Sequence, residues 1–349
     1  MFWEGEIMPP LSRPRLFSIL GLLSGLLLIT VLLTLFFGNV PVRLGFKELA
    51  SEFSALVRSE PLSRDGVILL RVRLPRALLA VLVGGGLSLS GASFQALIRN
   101  PLADPYILGV SGGAAFAAIV GMIVSSSFSF APVPVFAFGG ALASIFLVLA
   151  VARTRGKLPV ITLLLAGVVV NAFFSALVMF LLTVISGRHL PSAIYWMMGQ
   201  VSSKSYSTLG LVALYYMPGI LVLLGLARDF NLISLGEESA EQLGVNIERS
   251  KLLAFVAASL ITAVAVSVSG LIGFVGLMVP HIIRLVFGPD HRLLLPASFL
   301  CGGIFLALCD LLARSLIAPA ELPVGVITAV LGGPFFIWLL RRSREWISR

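Results

Sequence analysis

Charge is scarce in this sequence, at 12% of its 349 residues. A soluble domain carries about 25% because its surface must face water, so a water-facing exterior for a chain of this size is excluded. Cysteine is nearly absent. The only two, Cys301 and Cys309, share one apolar run, and two turns of helix would hold them about 12 Å apart, beyond disulfide reach. They read as small packing residues. Histidine occurs three times (His189, His281, His291), and neither CxxC nor HExxH is present, so no metal-dependent chemistry and no cofactor is expected. A phosphate-cradling GxxxxGK[ST] loop is also missing. Gly156-Lys157 is followed by Leu158, with valine where the first glycine would stand, so the chain has no such means of hydrolysing ATP. No nucleophile–base constellation supports an intramembrane enzyme.

What the chain has instead is apolar residues, 58% of the total, with a mean hydropathy of +1.05. A helix needs about 20 apolar residues to cross the hydrocarbon layer. Ten runs of about that size lie near 16–37, 77–98, 107–125, 131–152, 160–185, 208–227, 252–269, 271–287, 295–313 and 324–340, the seventh and eighth divided only around Gly270. The first follows Arg13 and Arg15, is longer than a signal-peptide core and precedes no small-residue cleavage site, so it reads as a retained span. The expected fold is an all-α polytopic membrane protein, a single transmembrane domain over 1–349. The net charge of +9 does not indicate nucleic acid, because Lys and Arg fall in short connections between the runs. With the N-terminus inside, the inner connections receive fifteen of the twenty-five, including Arg99, Arg153, Arg155, Lys157, Arg249, Lys251, Arg284 and Arg349. Seven of the outer ten lie in one long segment, 38–76, and long segments orient weakly. Both termini are therefore expected in the cytoplasm.

Three polar segments stand out. In 46–58, Phe46, Leu49, Phe53 and Leu56 recur at helical spacing, which suits a short helix on the membrane surface. Tyr195, Trp196 and Tyr206 in 188–206 are aromatics of the kind found at an interface; for both outer segments a partner-binding role stays open. The inner segment 229–251 carries Glu237 and Glu238 at a plausible helix start and Gly244 at its stop. A faint repeat pairs LSLSG at 87–91 with VSVSG at 266–270, and 162–167 with 328–333. It relates spans 2–5 to spans 7–10 by an odd offset, so the second copy is inverted in the bilayer, a transporter architecture.

One ordered set of residues carries a resemblance. It comprises Arg73-Leu-Pro-Arg76, Ser90-Gly91, Gln95, Asn100-Pro-Leu-Ala-Asp-Pro105 and Leu108-Gly-Val-Ser111, then Gly273-Phe-Val-Gly-Leu277, Pro280-His281, Arg284 and Asp290-His291-Arg292. Asp310, Arg314, Glu321-Leu-Pro-Val-Gly325, Thr328 and Gly333-Pro334-Phe335 complete it. From about residue 70 to 340 the chain resembles the cobalamin, haem and iron-siderophore permeases of type II ABC importers.

The resemblance implies a homodimer in a bacterial or archaeal cytoplasmic membrane, two cytoplasmic ATPase subunits, and a soluble binding protein, periplasmic or lipid-anchored. It makes Gly236, Glu237, Ala240, Leu243 and Gly244 the coupling helix that seats in the ATPase. Arg73, Arg76 and Arg314 would meet acidic residues of the binding protein. Asn100 and Leu102 would form the inner gate opposite Val160, where some relatives carry small hydroxyl residues and this chain has the apolar Pro159 and Val160. The implied cargo is a bulky metal chelate, with an iron-siderophore favoured and haem or cobalamin the other choices. From the residues themselves, Arg76 and Arg314 could instead snorkel at span ends, or Arg314 could pair with Asp310 one turn away. Asp310 is read as structural, and Pro280 is expected to break the eighth span, with His281 satisfying the freed backbone groups. The alternative, an ATP-independent secondary transporter or channel, would need ion-coupling acids, and Asp310 is the only candidate.

Overall fold

The computed structural model describes residues 11–38, 40–42, 45–58, 60–127, 133–154, 156–185, 187 and 189–347; Arg155 and Arg349, and the side chains of Phe46, Lys47, Arg342 and Arg344, lie outside that description. Among the described residues the chain is helical. In order the helices are α1 (Arg13–Phe36), α2 (Phe46–Val57), α3 (Arg64–Gly66), a π-helical stretch (Val67–Arg73), α4 (Leu74–Ile98), α5 (Val110–Ser127), α6 (Val133–Ala152), α7 (Val160–Val184), α8 (Leu190–Met197), α9 (Tyr206–Gly225), α10 (Ala227–Ser234), α11 (Glu237–Gln242), α12 (Ile247–Ser269), α13 (Val275–Phe287), α14 (His291–Ser315) and α15 (Val324–Ile347).

Ten of these helices stand on the ten apolar runs. Six (α1, α6, α7, α9, α12 and α14) are long and apolar enough to cross a bilayer, and α5, α13 and α15 contribute shorter apolar stretches. The tenth, α4, is the axis of the molecule. Nearly all of it from Val83 to Ile98 is buried, and it packs most extensively on α14, then on α12 and α13. Glycine permits this. A Cβ on Gly84 would overlap the carbonyl of Gly302, one on Gly302 that of Gly84, and one on Gly91 that of Gly276, so backbones meet where side chains ordinarily hold helices apart. The peripheral helices turn large apolar residues outward, such as Phe146, Ile161, Val169 and Leu214. A water-exposed surface could not carry these, and a bilayer accepts them. Where helices begin outside the hydrocarbon, short polar side chains cap them: Ser12 on α1, Ser205 on α9, Asn246 on α12 and Asp290 on α14.

Two connections enter the bundle instead of skirting it. Residues 107–108 lie against Gly167, seven residues and therefore about 10 Å along α7 from its start. The α12–α13 connection, 270–274, is non-helical and places Gly270 and Phe274 at positive φ. These inserted segments meet, the Tyr106 hydroxyl donating to the Ile272 carbonyl at 3.1 Å and accepting from the Ile272 N–H at 3.0 Å. One side chain thus satisfies both backbone groups of a residue that water does not reach. The expected break in the eighth span is corrected by this arrangement. Helix α13 runs through Pro280 without interruption, and the irregular backbone lies before Val275, nearly two turns earlier. His281 bonds no backbone group among the described residues and packs edge-on to Phe335.

On the outer segments, Glu52 of α2 accepts from the Ser63 N–H and fills the space above Gly66, tying the amphipathic helix to α3. Tyr195 and Tyr206 donate to the carbonyls of Glu321 and Leu70. Trp196, by contrast, is buried in the core. Cys301 and Cys309 are free thiols.

Candidate functional sites at the two ends of the bundle

At the end that carries the start of α1, the segment 227–246 folds as two short helices, α10 and α11. Gly236 precedes α11 at φ +126° and Gly244 follows it at φ +85°, both conformations that L-residues with side chains resist. Ala240 is fully buried, in a small cluster with Ile233, Val245 and Ile247. It is a packing residue within the segment and does not present itself outward. The outward apolar positions are Leu243 and, not anticipated from sequence, Leu235, at 56% and 71% exposure. Glu237 faces inward and pairs with the Lys251 ammonium at 2.7 Å and with Arg99 at 3.6 Å. Lys251, almost wholly enclosed, also lies 3.7 Å from Glu248. Glu248 in turn accepts from the Leu158 N–H at 2.6 Å.

The expected gate residues occupy separate elements at this same end. Asn100 caps the turn after α4, its side chain accepting from the Leu102 N–H at 2.9 Å. Leu102 is exposed, and Val160 opens α7 half-buried. A cavity of about 370 Å³ lies beside Asn100, lined by Gln95, Arg99, His281, Arg284 and His291. Gln95 is fixed there, accepting from Arg284 and donating to the Leu277 carbonyl. Nearby, Asp290 accepts from Asn231 and from Arg292. Burial alone would push the Asp290 carboxyl up, but these hydrogen bonds outweigh it and hold the group down at about 2.

The opposite end gathers the three arginines. Arg73 and Arg314, expected as surface cations, are buried at 5% and 6% exposure. Their guanidiniums converge on the end of α1: Arg73 donates to the carbonyls of Leu35, Phe36 and Val40, and Arg314 to that of Thr34 at 2.6 Å. The reason is physical. The last carbonyls of a helix lack partners and carry the negative end of its dipole, and two guanidiniums satisfy both needs. Arg76 grips the Asp310 carboxylate through Nε at 3.0 Å and Nη2 at 2.9 Å, and its third arm reaches Glu321 at 2.8 Å. Asp310 also lies 3.7 Å from Arg314, so the intrahelical pair exists but is the looser of the two. A second cavity, of about 230 Å³, opens over this cluster beside Tyr195 and Gln200.

The profile of the FecCD transport family matches residues 26–342. A cobalamin import system permease protein of Halobacterium salinarum is 46% identical over 275 residues, 79% of this chain and 73% of that one. A hemin transport system permease protein of Yersinia pestis is 44% identical over 285 residues, covering 80% and 84%. A solved metal-chelate type ABC transporter in an inward-facing conformation superposes with a TM-score of 0.80 at 32% identity, covering 93% of this chain and 99% of that chain.

Proposed function

The chain belongs to the FecCD transport family and is an import permease of the ABC type, and from that premise we propose how it works. Two copies form the membrane channel for a bulky metal chelate, an iron-siderophore being the favoured cargo and haem or cobalamin the other candidates. Two ATPase subunits in the cytosol supply the energy, since the sequence holds no phosphate-binding loop of its own. The end carrying α11 is cytoplasmic, with both termini on that side, as the distribution of Lys and Arg favours.

One observation carries the placement of the ATPase. Within a polar segment, Leu235 and Leu243 stand exposed on either side of α11, and a groove on the ATPase would remove both from water. Gly236, Glu237, Ala240, Leu243 and Gly244 form the coupling element, with Ala240 holding its shape from within. Asn100, Leu102 and Val160 form the inner gate. The binding protein docks at the opposite end. There Arg73 and Arg314 serve by fixing the end of α1, and Arg76 presents the partly exposed Glu321 at the rim. The test is reconstitution with the cognate ATPase and binding protein in vesicles, following uptake of the chelate that co-purifies with the binding protein. Uptake that requires ATP supports the proposal, and uptake that proceeds equally without ATP or ATPase would favour a secondary transporter and overturn it.

A further inference from the structure

The polar contacts around α11 form a continuous path, and both of its ends stop beside the gate. Glu237 is the first residue of α11. In one direction it pairs with Arg99 at 3.6 Å, the residue that ends α4 in a left-handed conformation and immediately precedes Asn100. In the other it pairs at 2.7 Å with Lys251 of α12, which lies 3.7 Å from Glu248. The second oxygen of Glu248 accepts from the Leu158 N–H at 2.6 Å, two residues before Val160. The path thus joins the first turn of α11 to the turn that carries Asn100 and Leu102 and to the start of α7.

Exposed ion pairs usually contribute little to stability, since water replaces them at small cost. Arg99 and Glu237 are of that kind, with side chains 46% and 32% exposed. Lys251 is not, for its side chain is 6% exposed. An enclosed ammonium must keep carboxylates beside it, and Glu237 and Glu248 are the two it has among the described residues. Loss of Glu237, the closer at 2.7 Å, would leave the ammonium only Glu248 at 3.7 Å. A displacement of α11 therefore draws on Glu237, through it on Lys251 and Glu248, and so on the backbone of Leu158. The arm through Arg99 moves at the same time.

We infer that Lys251, held between Glu237 and Glu248, is the positioning residue that makes the two sides of the inner gate move together with α11. This inference rests on the assignment of α11 as the ATPase-coupling element and goes beyond it by naming the link to the gate.

The experiment uses the full complex of permease, ATPase and binding protein in vesicles and measures cargo uptake per ATP hydrolysed. Lys251→Met keeps the length of the stem and removes the charge. Its complex should still bind the ATPase and hydrolyse ATP within about threefold of wild type, while uptake per ATP falls at least tenfold; Lys251→Arg should recover half or more of it. Glu248 offers a second comparison that does not depend on a well-folded Lys251→Met protein. Glu248→Gln keeps an oxygen for the Leu158 N–H and should retain more uptake per ATP than Glu248→Ala, by at least threefold. Wild-type uptake per ATP in Lys251→Met, or equal values for Glu248→Gln and Glu248→Ala, overturns the inference. Failure of the underlying assignment is recognised separately. Leu243→Glu should then leave ATPase recruitment intact, whereas if α11 is the coupling element that variant loses the ATPase from the purified complex.

Discussion

The pairing of Arg76 with Asp310 offers the sharpest test of what holds together the end of the bundle opposite α11. Asp310 sits in α14 with its side chain 3% exposed, gripped by two nitrogens of Arg76, and flanked by Arg314 at 3.7 Å. Removing one member of a buried ion pair strands the other and costs about 3–5 kcal/mol. Asp310→Asn nearly preserves shape but withdraws charge from two enclosed guanidiniums at once, so it should lie at the upper end of that range. Arg76→Met leaves the carboxylate with Arg314 alone and should cost slightly less. Glu321→Gln breaks the third arm, but that carboxylate is 48% exposed, and an exposed pair contributes about 0–1 kcal/mol. The assay is thermal unfolding of the purified permease in detergent. At roughly 2 °C for each kcal/mol in a large chain, Asp310→Asn should lower the Tm by about 8–10 °C and Glu321→Gln by no more than about 2 °C. The double variant Asp310→Asn with Arg76→Met should fall well short of the sum of the two single losses, because each removes what the other leaves stranded. An Asp310→Asn protein within 1 °C of wild type, or a Glu321→Gln protein as damaged as Asp310→Asn, would refute the reasoning.

Other consequences follow from particular contacts. Gly91→Val drives a side chain into the Gly276 carbonyl, and overpacking of this kind costs about 1–3 kcal/mol or more; the expected result is reduced yield of monodisperse protein and a lower Tm, with Gly21→Val, which meets nothing within 4 Å, as the unaffected control. Ala240→Trp should abolish ATP-driven uptake while the protein stays in the membrane, because the side chain cannot fit among Ile233, Val245 and Ile247 and must push α11 out of place; retained uptake in vesicles counts against that. The Asp290 carboxyl, held at about 2 in the folded protein against about 3.9 when unfolded, contributes stability that is complete above pH ~4 and is lost as pH falls from there toward ~2. Asp290→Asn should therefore be less stable than wild type at pH 7, and the difference in Tm should shrink as unfolding is measured at pH 4 and then pH 3; a constant difference excludes the linkage.

What could be read from the sequence was the part dictated by a single external constraint. Hydrocarbon thickness demands runs of apolar residues, and ten runs duly became ten helices. The counts err where polarity and hydrogen bonding part company. The apolar run 295–313 is shorter than α14, His291–Ser315, because Asp290 caps the helix early and Arg314 is carried inside it. The division at Gly270 was legible as a glycine between two apolar stretches, but the depth of the break was not. That depth depends on Tyr106, which lies 166 residues from Ile272 in the sequence. The same holds at the end opposite α11. A sequence displays Arg73 and Arg314 as two cations near span ends, and a cation there can face water, a headgroup, a partner or a helix terminus. What decides is the cluster of α1 carbonyls, 38 residues from Arg73 and 280 from Arg314. In the sequence Lys251 is one more charge in a connection between apolar runs, though its burial between two carboxylates is its distinguishing property. A solvent acts on every residue by type and leaves a periodic record, whereas a buried polar group is satisfied by whichever distant partner the packing delivers. In this permease the buried ion pairs and the groups that pin helix ends are of the second sort, so the architecture is legible from composition and the linkages between its parts are legible only from coordinates.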